Sequence, residues 1–513
     1  MLEQTAPAAV GSPAPAIPPV VQPAPTQPVQ APPPTNGQAA QAAPAPVTNG
    51  QTAAPPADGQ APAAAQQAPG QQAPVKSAPG GTPGQPAPDQ QPAAKPGQTQ
   101  PRPAYVPAAA TPTQEGPHGA RYDFNEGCRV ALPETGKPWR VRISDLDTGN
   151  ILYETEIAAG RVSSTKQYFI RFRVELWQAG ESVLAHEYSA EGQQVLIQFP
   201  VGTLGDTMGW FPYAVKFLAK HRCKLTCAMA EKLIPLFKDA YPDIRFVTEK
   251  EVEAERESEP QRYYASYRMG LFFDDKDCIH QPTDFRFVGL HRTAGYILGV
   301  DPTEEPPKIA LDDDSRPIPE PYVCIAVQAS SGAKMWTNPL GWHEITRMLK
   351  EAGYRVICID QRPVHGTGLM WNHIPHGVED ETGDRPLLER ARWLKHAEFF
   401  VGLSSGLSWL AWAMDVPVVL ISGFTAATNE FATPYRVINY HACNGCWNDP
   451  HHRFDHHDFL WCPRHAGTPR QFECTRLITA EQVKQAIQKI PSFGAAVQAK
   501  PASRKGAAAA RQK

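Results

Sequence analysis

Residues 322–336 read Tyr322-Val-Cys-Ile-Ala-Val-Gln-Ala-Ser-Ser-Gly-Ala-Lys334-Met-Trp336, an apolar run that stops at a loop of small residues, two hydroxyls and a lysine. A run of this length, closed by such a loop, is the pattern of a strand buried on both faces, as in a parallel sheet. Outward from it the pattern repeats: helix 339–352, strand 355–360, helix 386–396, strand 399–403, helix 407–414 and strand 417–422. Strands alternating with crossover helices predict a Rossmann-like half, although the Gly-x-Gly-x-x-Gly fingerprint is missing. Upstream, an apolar strand at 195–199 runs through the loop Pro200-Val-Gly-Thr203-Leu-Gly205-Asp206 into a helix reaching 220, and strand and helix follow again around 224–241. Two such halves imply a ligand in the cleft outside the C-terminal ends of their strands.

The flanks differ. Segments 139–144, 151–156, 167–176 and 183–188 alternate polar with apolar or β-branched residues, which predicts a small antiparallel β domain. Residues 1–118 hold more than half of the 54 prolines, and Tyr105 is their only aromatic residue of the Phe, Trp and Tyr kind. Such a stretch buries too little apolar surface to offset its ordering entropy and reads as a disordered leader. A final amphipathic helix at 479–490 opens with the capping-box pair Thr479 and Gln482, and a disordered Ala/Lys/Arg tail follows. The net charge of -3 lacks the basic excess of a nucleic-acid binder. There is no secretory signal and no membrane-length apolar run, so the expected address is the cytoplasm, where cysteines are core residues, ligands or nucleophiles.

Three loops carry candidate chemistry. Asp206 stands at the mouth of the first sheet beside a helix start, where it either caps that helix or takes a proton. Ser330, Ser331 and Lys334 follow the first strand of the second half, where a diphosphate would meet backbone amides and a helix start. Ser404-Ser405-Gly406-Leu407 offers a second anion-binding turn facing the same cleft. Separately, Cys443-x2-Cys446 is followed by fifteen residues to Cys462 and eleven to Cys474, a strong metal signal, with six histidines nearby (His441, His451, His452, His456, His457, His465). Sulfur ligation suits zinc and iron equally, and a complete shell points to structure rather than catalysis.

The strings 263–270 (Tyr-Tyr-Ala-Ser-Tyr-Arg-Met-Gly), 281–286 (Gln-Pro-Thr-Asp-Phe-Arg), 289–300 (Gly-Leu-His-Arg-Thr-Ala-Gly-Tyr-Ile-Leu-Gly-Val) and Cys443-Asn-Gly-Cys446 resemble the autotransporter heptosyltransferases, relatives of the ADP-heptose lipopolysaccharide heptosyltransferases. The resemblance covers residues 121–490 and implies an α/β, GT-B-type glycosyltransferase with two Rossmann-like domains, preceded by the leader and the small β domain. The expected boundaries are 1–118 leader, 119–192 β domain, 193–318 acceptor-side domain, 319–425 nucleotide-sugar domain, 426–491 four-cysteine segment with the C-terminal helix, and 492–513 tail.

The resemblance further implies Asp206 as catalytic base. It implies Thr203, Gly205, Ser330, Ser331, Lys334, Ser405, Gly406 and Leu407 as donor contacts, and ADP-heptose as donor. For the cysteine site it implies one structural iron per chain, zinc staying chemically open. Its partners would be an autotransporter passenger as acceptor and copies of itself in a ring-like homo-oligomer as large as a dodecamer. Where the lipopolysaccharide enzymes read Asp-Thr-Gly-Leu-Ser-His, this chain has Ser404-Ser-Gly-Leu-Ser-Trp409. Other readings are a transferase using another nucleotide sugar, a metal-dependent GT-A enzyme built on Asp275-Lys-Asp277, and a non-enzymatic module held by the cysteine site.

Overall fold

The computed structural model describes residues 105–199, 203–368 and 370–493. The expected disorder of 1–104 and 494–513, and the loop residues 200–202, lie outside the described residues.

The first parallel sheet is built from Gln194–Gln198, Lys224–Ala228, Arg245–Val247 and Ala265–Arg268. The second runs in the order Glu379–Asp380, Arg355–Cys358, Tyr322–Ile325, Phe400–Leu403, Val418–Ile421, Arg436–Val437, all parallel. Its central strands are buried at every position, as their unbroken apolar runs require. The helix Gly341–Glu351 explains itself by spacing: Trp342, Ile345, Thr346 and Leu349 fall on one face, and that face is buried. Ile345 and Leu349 are fully buried, each contributing about 1.5–3 kcal/mol by transfer from water. The helix Ala480–Gln488 has the anticipated capping box, with the Thr479 hydroxyl accepting from Gln482 N–H and the Gln482 side chain accepting from Thr479 N–H.

Two features go beyond the expectations. The small β domain has its own antiparallel sheet, Trp139–Asp145, Ile151–Ile157, Phe172–Gln178 and Glu181–Glu187, and its remaining strands Arg121–Asn125, Arg129–Leu132 and Gly160–Ser163 extend the first parallel sheet. Buried Asp123 makes this possible, because Arg129 and the Thr113 amide satisfy its carboxylate inside the sheet. The leader also ends earlier than expected. Val106 exchanges hydrogen bonds of 2.9 and 3.0 Å with the Gln198 side chain, and Tyr105 Oη donates to the Met269 carbonyl at 2.7 Å. Gln114–Glu115 pairs with Arg121 and Tyr122 as a short strand. The composition of 105–118 conceals this docking because the domain supplies most of the side chains that hold it.

The two parallel sheets meet where the helix Leu204–His221 packs on the helix Gly406–Ala413. Glycine permits the approach: a Cβ on Gly205 would lie 3.0 Å from Trp409 Cδ1, and one on Gly406 would lie 2.8 Å from Leu204 Cβ. Trp409 is 5% exposed and packs edge-on to Phe431 at 5.0 Å and to Trp412 and His291 at 5.6 Å. Both helix N-termini are thereby brought to one cleft.

Candidate active site and metal segment

Asp206 lies in the first turn of Leu204–His221 but does not cap it. The cap position is Thr203, whose hydroxyl donates to Asp206 Oδ2 at 2.6 Å. The carboxylate is half-buried. Burial raises its pKa above the usual value; the Thr203 hydrogen bond opposes the rise, followed by the fields of Lys334 and His456. Its proton affinity is therefore higher than that of a surface aspartate, and among the described residues Oδ1 has no hydrogen-bond partner.

Lys334 reaches the same place from the second domain. Its ammonium sits 5.6 Å above the Phe424 ring and 5.7 Å above that of Trp447, a cation–π seat that fixes an otherwise flexible chain. Burial lowers its pKa, and Asp206 and then Glu430 counter this. Among the described residues the Asp206 carboxylate bonds to Thr203 and forms no ion pair with Lys334, although each feels the other's field.

The two anion loops differ from one another. In the first, the amides are spent: Gly332 N–H donates to Phe459 O, Ala333 N–H to Ser331 Oγ, and Lys334 N–H to Ser331 O. Ser331 is buried as that turn's cap, Ser330 is exposed, and the expected cradle of backbone amides is not free. In the second, the helix Gly406–Ala413 has no side-chain cap, and Ser405 Oγ is buried without a hydrogen-bond partner. An uncapped helix start beside an orphaned hydroxyl is a place for an anion. Gly406 and Leu407 open that helix, and Gly205 faces it.

The four thiols converge. Cys443, Cys446, Cys462 and Cys474 line one small space with His465 and Glu473, and none forms a disulfide. The tightest trio is Cys443, His465 and Glu473, whose ligand atoms lie within 4.8 Å of one another. His465 therefore belongs to this pocket rather than to the surface. Four sulfurs around one space, with Arg464 donating to Cys443 Sγ at 3.5 Å, make a donor set that fits a thiolate-bound iron or zinc. Asp275, by contrast, gives both oxygens to backbone amides of Ile279, His280 and Gln281 at 2.7–3.0 Å, and so is a turn residue. Cys324 and Cys358 pack in buried strands, as expected.

His456 is one of the six histidines that the sequence sets near the cysteines without a role. It sits between the cysteine pairs, edge-on to Phe454 at 4.6 Å, Trp447 at 6.2 Å and Phe273 at 6.4 Å. Burial and then Lys334 lower its pKa, against the field of Asp206. The site thus draws on the first domain, the second domain and the metal segment. Among the described residues, no helix is long and apolar enough to cross a membrane.

Two family profiles match: "Glycosyltransferase TibC, N-terminal domain" at residues 116–180 and "Glycosyltransferase family 9 (heptosyltransferase)" at residues 299–456. The chain is 53% identical over 384 residues to the autotransporter heptosyltransferase Aah of Escherichia coli, covering 74% of this chain and 96% of that protein. It is 49% identical over 389 residues to BimC of Burkholderia thailandensis, described as an inactive autotransporter heptosyltransferase, covering 76% and 90%. Among solved structures, the dodecameric iron-containing heptosyltransferase TibC in complex with ADP-D-β-D-heptose superposes with a TM-score of 0.71 at 50% identity, covering 76% of this chain and all of that one.

Proposed function

The chain belongs to the autotransporter heptosyltransferases, a group of glycosyltransferases, and from that membership we propose that it transfers heptose from ADP-heptose to hydroxyl side chains, chiefly serine, of an autotransporter passenger in the cytoplasm. The observation that carries the reading is that Asp206 and Lys334, from different Rossmann-like halves, are near enough for each to shift the other's proton affinity, and that the helix starting at Ser405 is left without a side-chain cap.

The reaction is a single inverting displacement. Asp206 Oδ1 accepts the proton of the acceptor hydroxyl while its oxygen forms a bond to the anomeric carbon. The bond from that carbon to the diphosphate oxygen breaks on the opposite face, and ADP leaves. A base of raised proton affinity suits this step, and general-base help is worth about 10²- to 10⁴-fold. Negative charge grows on the departing diphosphate. Lys334, the Ser405 hydroxyl and the amides of Gly406 and Leu407 meet that charge, so they bind the transition state more strongly than the ground state. Thr203 orients the base, Gly205 allows the helices to close, and Ser330 and Ser331 flank the lysine.

Iron would be held by Cys443, Cys446, Cys462 and Cys474, where it cross-links a segment otherwise poor in regular structure. The chain assembles with copies of itself into a dodecamer, like the dodecameric TibC.

Because one relative is described as inactive, the test has to read turnover itself. Co-expression with a candidate passenger and measurement of its intact mass should give increments of one heptose each. With Lys334→Ala those increments should fade and donor affinity should fall together. An unmodified passenger, alongside a purified protein that binds ADP-heptose no better than UDP- or GDP-sugars, refutes the assignment.

A further inference from the structure

We propose that His456 is a further substrate-contacting residue, its imidazole N–H donating a hydrogen bond to the diphosphate of the nucleotide sugar beside Lys334. The inference rests on the nucleotide-sugar reading above and adds a group from the metal segment to it.

The geometry starts from Trp447. One indole carries the Lys334 ammonium over its face at 5.7 Å and the His456 ring against it at 6.2 Å, so the two nitrogen-bearing groups share a wall. Phe454, Trp447 and Phe273 meet the imidazole at 81–83°, which fixes the ring plane while leaving it exposed. Three of the other five histidines of the segment face carboxylates: His451 and His452 face Asp449, and His465 faces Glu473. The His456 side chain has no hydrogen-bond partner among the described residues. Its surroundings are Lys334 and Asp206 from the two domains, with Asp455 and His457 as its own neighbours.

An anion held by Lys334 would therefore lie within reach of an oriented donor that nothing in the protein uses. A neutral imidazole adds a directional N–H there without adding a second positive charge to repel the lysine. The proton stays on the ring throughout; His456 stabilises the leaving group and does not transfer to it. Removing one preorganised donor at a developing oxyanion costs about 10²- to 10³-fold in kcat. A donor to a group already charged in the ground state should weaken ADP binding by a smaller factor.

The experiment compares wild type, His456→Phe and His456→Gln in ADP titration calorimetry, steady-state heptose transfer and metal content per chain. His456→Phe keeps the aromatic packing and loses the donor; His456→Gln restores an N–H. The expected result is a fall in kcat of about 10²-fold for the Phe variant with metal content unchanged, a several-fold loss in ADP affinity, and substantial recovery in the Gln variant. Wild-type kcat and ADP affinity in His456→Phe would overturn the proposal, as would loss of metal from that variant or equal damage in both variants. If wild type itself fails to bind ADP, the nucleotide-sugar reading falls first, and that outcome is separate.

Discussion

Replacing Trp409 by alanine removes the side chain that joins the two Rossmann-like domains behind the cleft. A buried tryptophan withdraws about 150–250 Å² from water, worth about 4–6 kcal/mol at roughly 25 cal/mol per Å². Core Trp→Ala changes measured elsewhere cost about 3–5 kcal/mol. Trp409 is 5% exposed and packs edge-on to Phe431, Trp412 and His291 while covering Gly205 and Gly209, so little can collapse into the space it leaves. The upper part of that range is therefore expected. Guanidinium unfolding followed by circular dichroism should show a lower midpoint. Because the lost contact lies between domains, the single transition should broaden or split. ADP-heptose should also protect the variant less than the wild type. Trp409→His, the residue of the lipopolysaccharide enzymes at this position, should fall between the two. A loss below about 1 kcal/mol with an unbroken transition would show that the domains are held elsewhere.

Asp206→Asn should lower kcat by about 10²- to 10⁴-fold while leaving ADP affinity nearly intact. Because the folded pKa of Asp206 is raised, its stabilising contribution is full below the unfolded value of about 3.9 and is lost as pH rises through the folded value, so the Asn variant should melt no lower than wild type at neutral pH. Wild-type kcat should correspondingly fall on acidification at a pH above the ordinary aspartate range; an acidic limb below pH 4 would contradict the role. Deleting residues 1–104 should leave melting temperature and transfer unchanged, whereas deleting 1–118 should lower stability, since Val106, Tyr105 and Thr113 are tied to the first sheet. Equal melting of the two truncations argues that this docking is energetically empty. Cys462→Ser should release metal and destabilise the segment before it affects the chemistry; a soluble, metal-free and fully active variant sinks the structural-site assignment.

The parallel strands were readable because burial on both faces leaves unbroken apolar runs, as at 322–327 and 417–421. The capping box at Thr479 was readable because its two partners lie three residues apart. Long-range matters were less accessible. That Arg121–Asn125 joins the first parallel sheet depends on Asp123 being paired with Arg129 and bonded by the Thr113 amide, which no local pattern announces. The loop at Ser331 has the composition of an anion cradle, yet Phe459, from a distant stretch, takes the Gly332 amide. Asp206 and Lys334 were named one by one from their loops, whereas His456 was lost among six histidines. The signal that separates His456, a ring held between aromatic walls beside Lys334, exists only once the chain has folded.

The cleft takes Asp206, Lys334 and His456 from three stretches of chain, and the last stretch is closed by Cys474. This sets an order in time for a protein emerging from the ribosome. The second half is complete only at Arg436–Val437; the 37 residues from there to Cys474 take on the order of seconds to synthesise at about 5–20 residues per second, and through that interval both Rossmann-like halves can collapse without a finished site. A nascent or truncated chain would thus be a folded scaffold with no activity, and the limiting event for new enzyme would be capture of a metal ion by the final thiol.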